Sequence, residues 1–152
     1  MSTRKRSADS AFTLLEVLVV LVILALAGTI VGLSAPNAQL RAKLAEAETI
    51  LDATLAQART EARRTGEPRF VIFDLDRQRI SQQGLIKWAN FPPGVELSVT
   101  TARELGSPRQ PVIAYLPDGT SSGGEIIIEV ETARRIRRVE WLTGQVRDSL
   151  HD

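Results

Sequence analysis

Cysteine is absent from this 152-residue chain, which rules out a disulfide framework and any thiolate metal site. Histidine is nearly absent. The single one, His151, stands next to the last residue, so a histidine-dependent triad or a multi-histidine zinc site has no material to be built from. Charge imbalance is missing as well. The formal net charge is +1, and Arg4, Lys5 and Arg6 against Asp9 give the first eleven residues +2, which leaves −1 for the remainder. A nearly neutral body lacks the strongly basic face by which nucleic-acid binding usually declares itself. No internal repeat or low-complexity tract interrupts the chain. Its 43% hydrophobic and 24% charged residues are those of a folded protein, and its length suits about one domain of ordinary size. No nucleophile, base and orienting group fall into a recognisable arrangement, so the residues point away from an enzyme, and no cofactor is implied.

What is present is concentrated at the amino end. The stretch "SADSAFTLLEVLVVLVILALAGTIVGL" has no charge from Val17 to Leu33, and with the apolar residues before Glu16 it reaches the roughly 20 residues a bilayer span needs. A carboxylate just inside such a span costs a few kcal/mol unless it snorkels or meets a cation. Three readings compete. A secretory signal peptide would use Ala25-Leu26-Ala27 as its cleavage site, but the apolar run continues past it. A plain signal anchor explains the basic flank and the length and leaves Glu16 unexplained. In the third reading the chain is cut between Ala11 and Phe12, and the new amine stands about one helical turn, roughly 6 Å, from Glu16. A neighbouring helix offset by one turn could then bring its own amine onto this carboxylate.

Ala11-Phe12-Thr13-Leu14-Leu15-Glu16, after a short basic leader and before an apolar run, closely resembles the processing signal of type IV prepilins and type II secretion pseudopilins. The resemblance implies that a prepilin peptidase cuts after Ala11 and methylates the Phe12 amine, and that Glu16 pairs with the amine of an adjacent subunit during assembly. The family usually has glycine before the cut, and here it is alanine, the next smallest residue.

Farther along, Pro36 lacks an N–H, which predicts a kink or loosening and a linker over 34–38. Leu40, Leu44, Ala47, Leu51, Leu55, Ala58 and Ala62 recur at spacings of three and four and draw one apolar stripe, while Arg41, Glu46, Glu48, Gln57 and Arg63 fall elsewhere. Gly66 and Pro68 stop this helix. The period then changes to two. Strands are expected over 69–75, 78–82, 95–100, 111–116, 125–131, 136–142 and 145–148, separated by turn-formers such as Pro92-Pro93-Gly94, Asp118-Gly119 and Thr143-Gly144. A second linker is expected over 102–111. The core candidates are Phe70, Ile72, Ile126, Ile128, Val139 and Trp141. The expected fold class is α+β, a long amino-terminal helix packed on an antiparallel sheet or sandwich. Its expected division is a cleaved leader at 1–11, a membrane and filament-core helix at 12–35, an amphipathic helix at 37–66 and a periplasmic β domain at 67–152.

Other features admit a plainer reading than a site. The loop from Asp118 to Gly124 could cradle an anion, but it has no following helix and no P-loop lysine, so a hairpin loop is the better account. Asp74, Asp76 and Asp118 lack the calcium-loop spacing and read as turn residues. No metal site is expected. Arg134, Arg135, Arg137 and Arg138, with Arg147, form the densest basic cluster and could meet phosphates. Glu129, Glu131 and Glu140 lie close by, aromatic interleaving is confined to Trp141, and charge that blunts a solvated strand edge is the better account than nucleic-acid contact.

The tail "YLPDGTSSGGEIIIEV" followed by "RRIRRVEWLTGQVR" is similar to the H-type minor pseudopilins (GspH) and to the related FimT minor pilins. The first resemblance implies a subunit near the tip of a periplasmic pseudopilus, held in the bacterial inner membrane by a single pass whose amino end is cytoplasmic before processing. Its implied partners are the prepilin peptidase, other major and minor pseudopilins, the secretion channel and secreted substrates. The second implies a DNA-binding minor pilin. The slightly acidic body and the Thr143-Gly144-Gln145 turn, which has no arginine after the glycine, favour the first.

Overall fold

The computed structural model describes residues 14–101 and 105–149, with the side chains of 26–37 outside that description. One helix, α1 (Leu14–Thr65), leads the chain, and eight strands follow: β1 (Arg69–Asp74), β2 (Arg79–Gln82), β3 (Ala89–Asn90), β4 (Glu96–Thr100), β5 (Val112–Tyr115), β6 (Gly124–Val130), β7 (Ala133–Val139) and β8 (Val146–Asp148). The class is α+β, as the change of period predicts. The chain divides into two units, Met1–Ala38 and Gln39–Asp152. The helix runs unbroken through Pro36, where a kink or linker is expected. A missing N–H removes one bond from the helical ladder, and the turns on either side keep theirs.

In the second unit the stripe on α1 is the organising element. Leu44, Ala47, Leu51, Leu55, Ala58 and Ala62 are all buried, with Leu40 packed against them. Three of these are alanines, short enough to let the backbones of helix and sheet approach closely. Gly66 closes the helix with φ 72° and donates its N–H to the carbonyl of Ala62 at 3.0 Å, a left-handed cap. Arg63 and Arg64 sit in the last turn, where the helix dipole favours cations.

The strands form two antiparallel four-stranded sheets, ordered β3-β2-β1-β5 and β4-β6-β7-β8. Both contribute to one core with α1: Val71, Phe73, Ile80, Ile113 and Tyr115 from the first, Leu97, Ile126, Ile128, Val130 and Val139 from the second. Ile126, Ile128 and Val139 are core residues as expected. Phe70 and Ile72 are not. Strand β1 turns Val71 and Phe73 inward, so by the alternation of a strand Phe70 and Ile72 lie half-buried on its other face. Trp141 is the third correction, for it lies beyond β7 and is 66% exposed. Strand β7 starts three residues earlier than its apolar pattern suggests, because β6 turns into it through Glu131 and Thr132, with Val130 paired to Ala133. Glu131 takes φ 54°, a left-handed conformation that no glycine or asparagine announces.

Candidate functional site

Two regions carry the candidate functional residues, one in each unit. In the first, Ala11 and Phe12 lie outside the described residues. Glu16 occupies the first turn of α1, where the partial positive charge of the helix amino end favours a carboxylate. The residues that follow are apolar and uncovered: Val17, Leu18, Val19, Val20, Leu21, Val22, Ile23 and Leu24 are all exposed. Apolar side chains on every face of a helix have no counterpart in an ordinary amphipathic surface helix, whose far side is polar. Such a surface is left for lipid or for other helices. Among the described residues no helix is long and apolar enough to cross a membrane, and the candidate span runs on into positions 26–37, whose side chains lie outside the description.

In the second unit the basic cluster forms most of β7. Direct cross-strand pairing puts Arg138 opposite Glu125 and Arg134 opposite Glu129, with ion pairs at 2.9 and 3.3 Å. Arg135 reaches Glu48 on α1 at 3.7 Å. Arg137, only 15% exposed at its side chain, joins Asp52 of α1 and Asp148 of β8 at once. The bond to Asp52 raises its proton affinity against the opposing effect of burial, and Asp148 adds to the rise. Four of the five arginines are therefore matched by carboxylates, and the face is a lattice of ion pairs tying β6, β7, β8 and α1 together. Arg147 pairs in register with Arg138 on the edge strand and is exposed.

The aspartates act as turn residues. Asp118 accepts from the N–H and hydroxyl of Thr120 at 2.9 and 2.7 Å, bonds that hold its carboxyl below the usual range. Asp74 is buried. Burial opposes its ionisation, but the bond from Arg79 at 2.8 Å and the N–H of Arg77 outweigh that, and the net shift is downward. No cluster of metal-ligating side chains occurs among the described residues.

A joint that sequence reasoning missed lies where α1 meets the last two turns. Arg59 donates to the carbonyl of Thr143 at 2.7 Å, and a Cβ on Gly144 (φ 61°) would stand 2.7 Å from the carbonyl oxygen of Gly119. The 116–120 and 140–145 turns are thus stacked on each other against the helix. Arg59 gives no local signal of this role, since it belongs to a helix 84 residues away from its acceptor.

Residues 6–32 match the prokaryotic N-terminal methylation motif. Over 136 residues, 89% of this chain and 80% of its relative, the sequence is 32% identical to type II secretion system protein H of Xanthomonas campestris pv. campestris. The chain belongs to the type II secretion system protein H family. It is accordingly a minor pseudopilin, a structural subunit of the type II secretion system. Solved structures agree on the fold. The minor pseudopilin EpsH from the type 2 secretion system of Vibrio cholerae superposes with a TM-score of 0.52 at 14% identity, over 68% of this chain and 92% of that one. The type IV minor pilin FimU of Pseudomonas aeruginosa gives 0.56 at 14% identity, over 78% and 92%.

Proposed function

We propose that this minor pseudopilin is made as a precursor, cut between Ala11 and Phe12 by the prepilin peptidase and methylated at the Phe12 amine. It then assembles through Glu16 into the pseudopilus with other major and minor pseudopilins. The observation that carries this reading is the start of α1: a carboxylate in the first turn, followed by apolar side chains exposed around the helix. The apolar surface gives the chain residence in the inner membrane, with the Gln39–Asp152 unit in the periplasm. In a low-dielectric setting the carboxylate is stable when it receives a cation, and a charge-assisted bond from the amine of a neighbouring subunit provides one. A position near the tip, with contact to the secretion channel and to secreted proteins, belongs to the same reading.

A DNA-binding minor pilin draws no support from β7. Phosphate contacts need arginines free to exchange counterions, and Arg134, Arg135, Arg137 and Arg138 are engaged with Glu129, Glu48, Asp52, Asp148 and Glu125.

Mass analysis of the amino terminus of membrane-extracted protein tests the processing step. A chain beginning at methylated Phe12 is the expected result. A start near Thr29 would replace it with a secretory signal peptide, and an intact Met1 in cells that contain the peptidase would replace it with a plain anchor.

A further inference from the structure

Six buried side-chain polar atoms among the described residues have no protein partner, and apart from Arg69 Nε and Gln82 Oε1 they gather in one place. Among the described residues, Asp52 Oδ1, Arg59 Nε, Tyr115 Oη and Arg137 Nε are in this condition, and all four residues line one cleft of about 260 Å³ between α1 and the 143–146 turn. Tyr115 is fully buried, and burial pushes its phenol well above the usual range, so it stays protonated and able to donate. The four atoms make a mixed set: two Nε–H donors, one carboxylate acceptor and one hydroxyl that does both. Gly144 forms part of the wall. The Cβ of any other residue there would stand 3.3 Å from Arg59 Nε and from the Tyr115 ring.

The charges around the cleft decide what can occupy it. Arg59 and Arg137 bring two positive charges to the lining, and Asp52 in the lining and Asp148 outside it, both bonded to Arg137, bring two negative ones. An ion of either sign gains nothing from such a balance. A group that donates to Asp52 and accepts from the two arginines and the tyrosine satisfies every atom. The volume far exceeds the roughly 15 Å³ that a single water requires, and although the cleft opens to solvent beside Asp52, its four partnerless polar atoms are enough to hold water in place.

We propose that this cleft is a built water site, in which a small cluster of ordered waters joins α1 to the turn before β8 through Asp52, Arg59, Tyr115 and Arg137. Together with the direct bond from Arg59 to Thr143, the waters make the end of the domain a hydrated joint rather than a dry packed one.

The test is Tyr115→Phe in the full chain in detergent micelles, which keeps the ring and deletes only the hydroxyl. Losing a hydroxyl that bonds to water should raise the unfolding equilibrium constant about fivefold in a urea titration, whereas deleting an orphaned buried hydroxyl leaves it unchanged or lower. Water-to-protein cross-relaxation on the Tyr115 ring hydrogens of the unsubstituted chain should be present as well. A variant as stable as the parent overturns the proposal. So does a destabilised variant whose parent shows no cross-relaxation with water, since the hydroxyl would then be bonded to protein.

Discussion

Arg137 on β7 donates to the carboxylate of Asp52, 85 residues earlier on α1, and with its other amino group to Asp148 on β8. One guanidinium therefore closes the helix, a central strand and an edge strand of the second sheet into a single contact. Its neighbours Arg134 and Arg138 span only adjacent strands, and both are more than half solvent-exposed or close to it. Exposed pairs contribute about 0.2–1 kcal/mol, whereas hydrogen bonds to charged groups with less water around them reach about 1.5–3 kcal/mol. Arg137→Gln should thus lower stability by about 2 kcal/mol and Arg134→Gln by less than about 0.5 kcal/mol, measured by urea unfolding. Equal effects would mean that burial does not distinguish the two sites.

The side-chain alternation of β1 supplies a second test. Phe73 is fully exposed to the core and closed to solvent, while Phe70 lies on the opposite face and is half-buried. Phe73→Ala should cost roughly 3–5 kcal/mol, and Phe70→Ala clearly less, because the cavity left by a half-buried ring stays open to water. The comparison is made by thermal or urea unfolding of the two variants side by side.

Acid should unfold the domain in part through Asp74. Its folded pKa is lowered, so the stability it confers is fully present above the unfolded value, about 3.9, and is lost as pH falls through the folded one. Asp74→Asn should flatten the decline of stability below about pH 4 and leave its slope between pH 6 and 8 unchanged. Unfolding midpoints across that range, compared between parent and variant, check the sign.

These contrasts follow the line between what was legible in the sequence and what was not. The stripe from Leu40 to Ala62 was readable because a helix repeats its face every three to four residues, and each of those positions packs on the core. The β-branched content of the sequence marks seven of the strands to within a few residues. The inward face of β1 is not so marked, since Phe70 to Phe73 is apolar at consecutive positions, and only the pairing of β1 with β2 and β5 determines which of Phe70 and Phe73 is inside. Strand β3 has two residues and no pattern of its own. Trp141 reads as core because aromatic residues favour strands, but β7 ends at Val139 and Trp141 falls in the 140–145 turn that follows, closed by the Gly144 N–H on the carbonyl of Glu140. The arginine cluster was visible at once. Its partners Glu48 and Asp52 lie on α1, and no local spacing connects them to β7.

Glu16 bears most directly on how the chain works. If its carboxylate receives the amine of a neighbouring subunit, Glu16→Gln should still be processed and inserted, because the apolar surface from Val17 to Leu24 is unaltered. It should lose incorporation, since a neutral amide offers that amine only a weaker, uncharged bond. The decisive measurement is the yield of cross-links to the other pseudopilins, compared between parent and Glu16→Gln at equal membrane levels. A yield reduced by about tenfold or more, the loss of roughly 1.4 kcal/mol or more of charge-assisted bonding, is the predicted result. An undiminished yield would contradict it and reduce Glu16 to a carboxylate that merely reaches the interface.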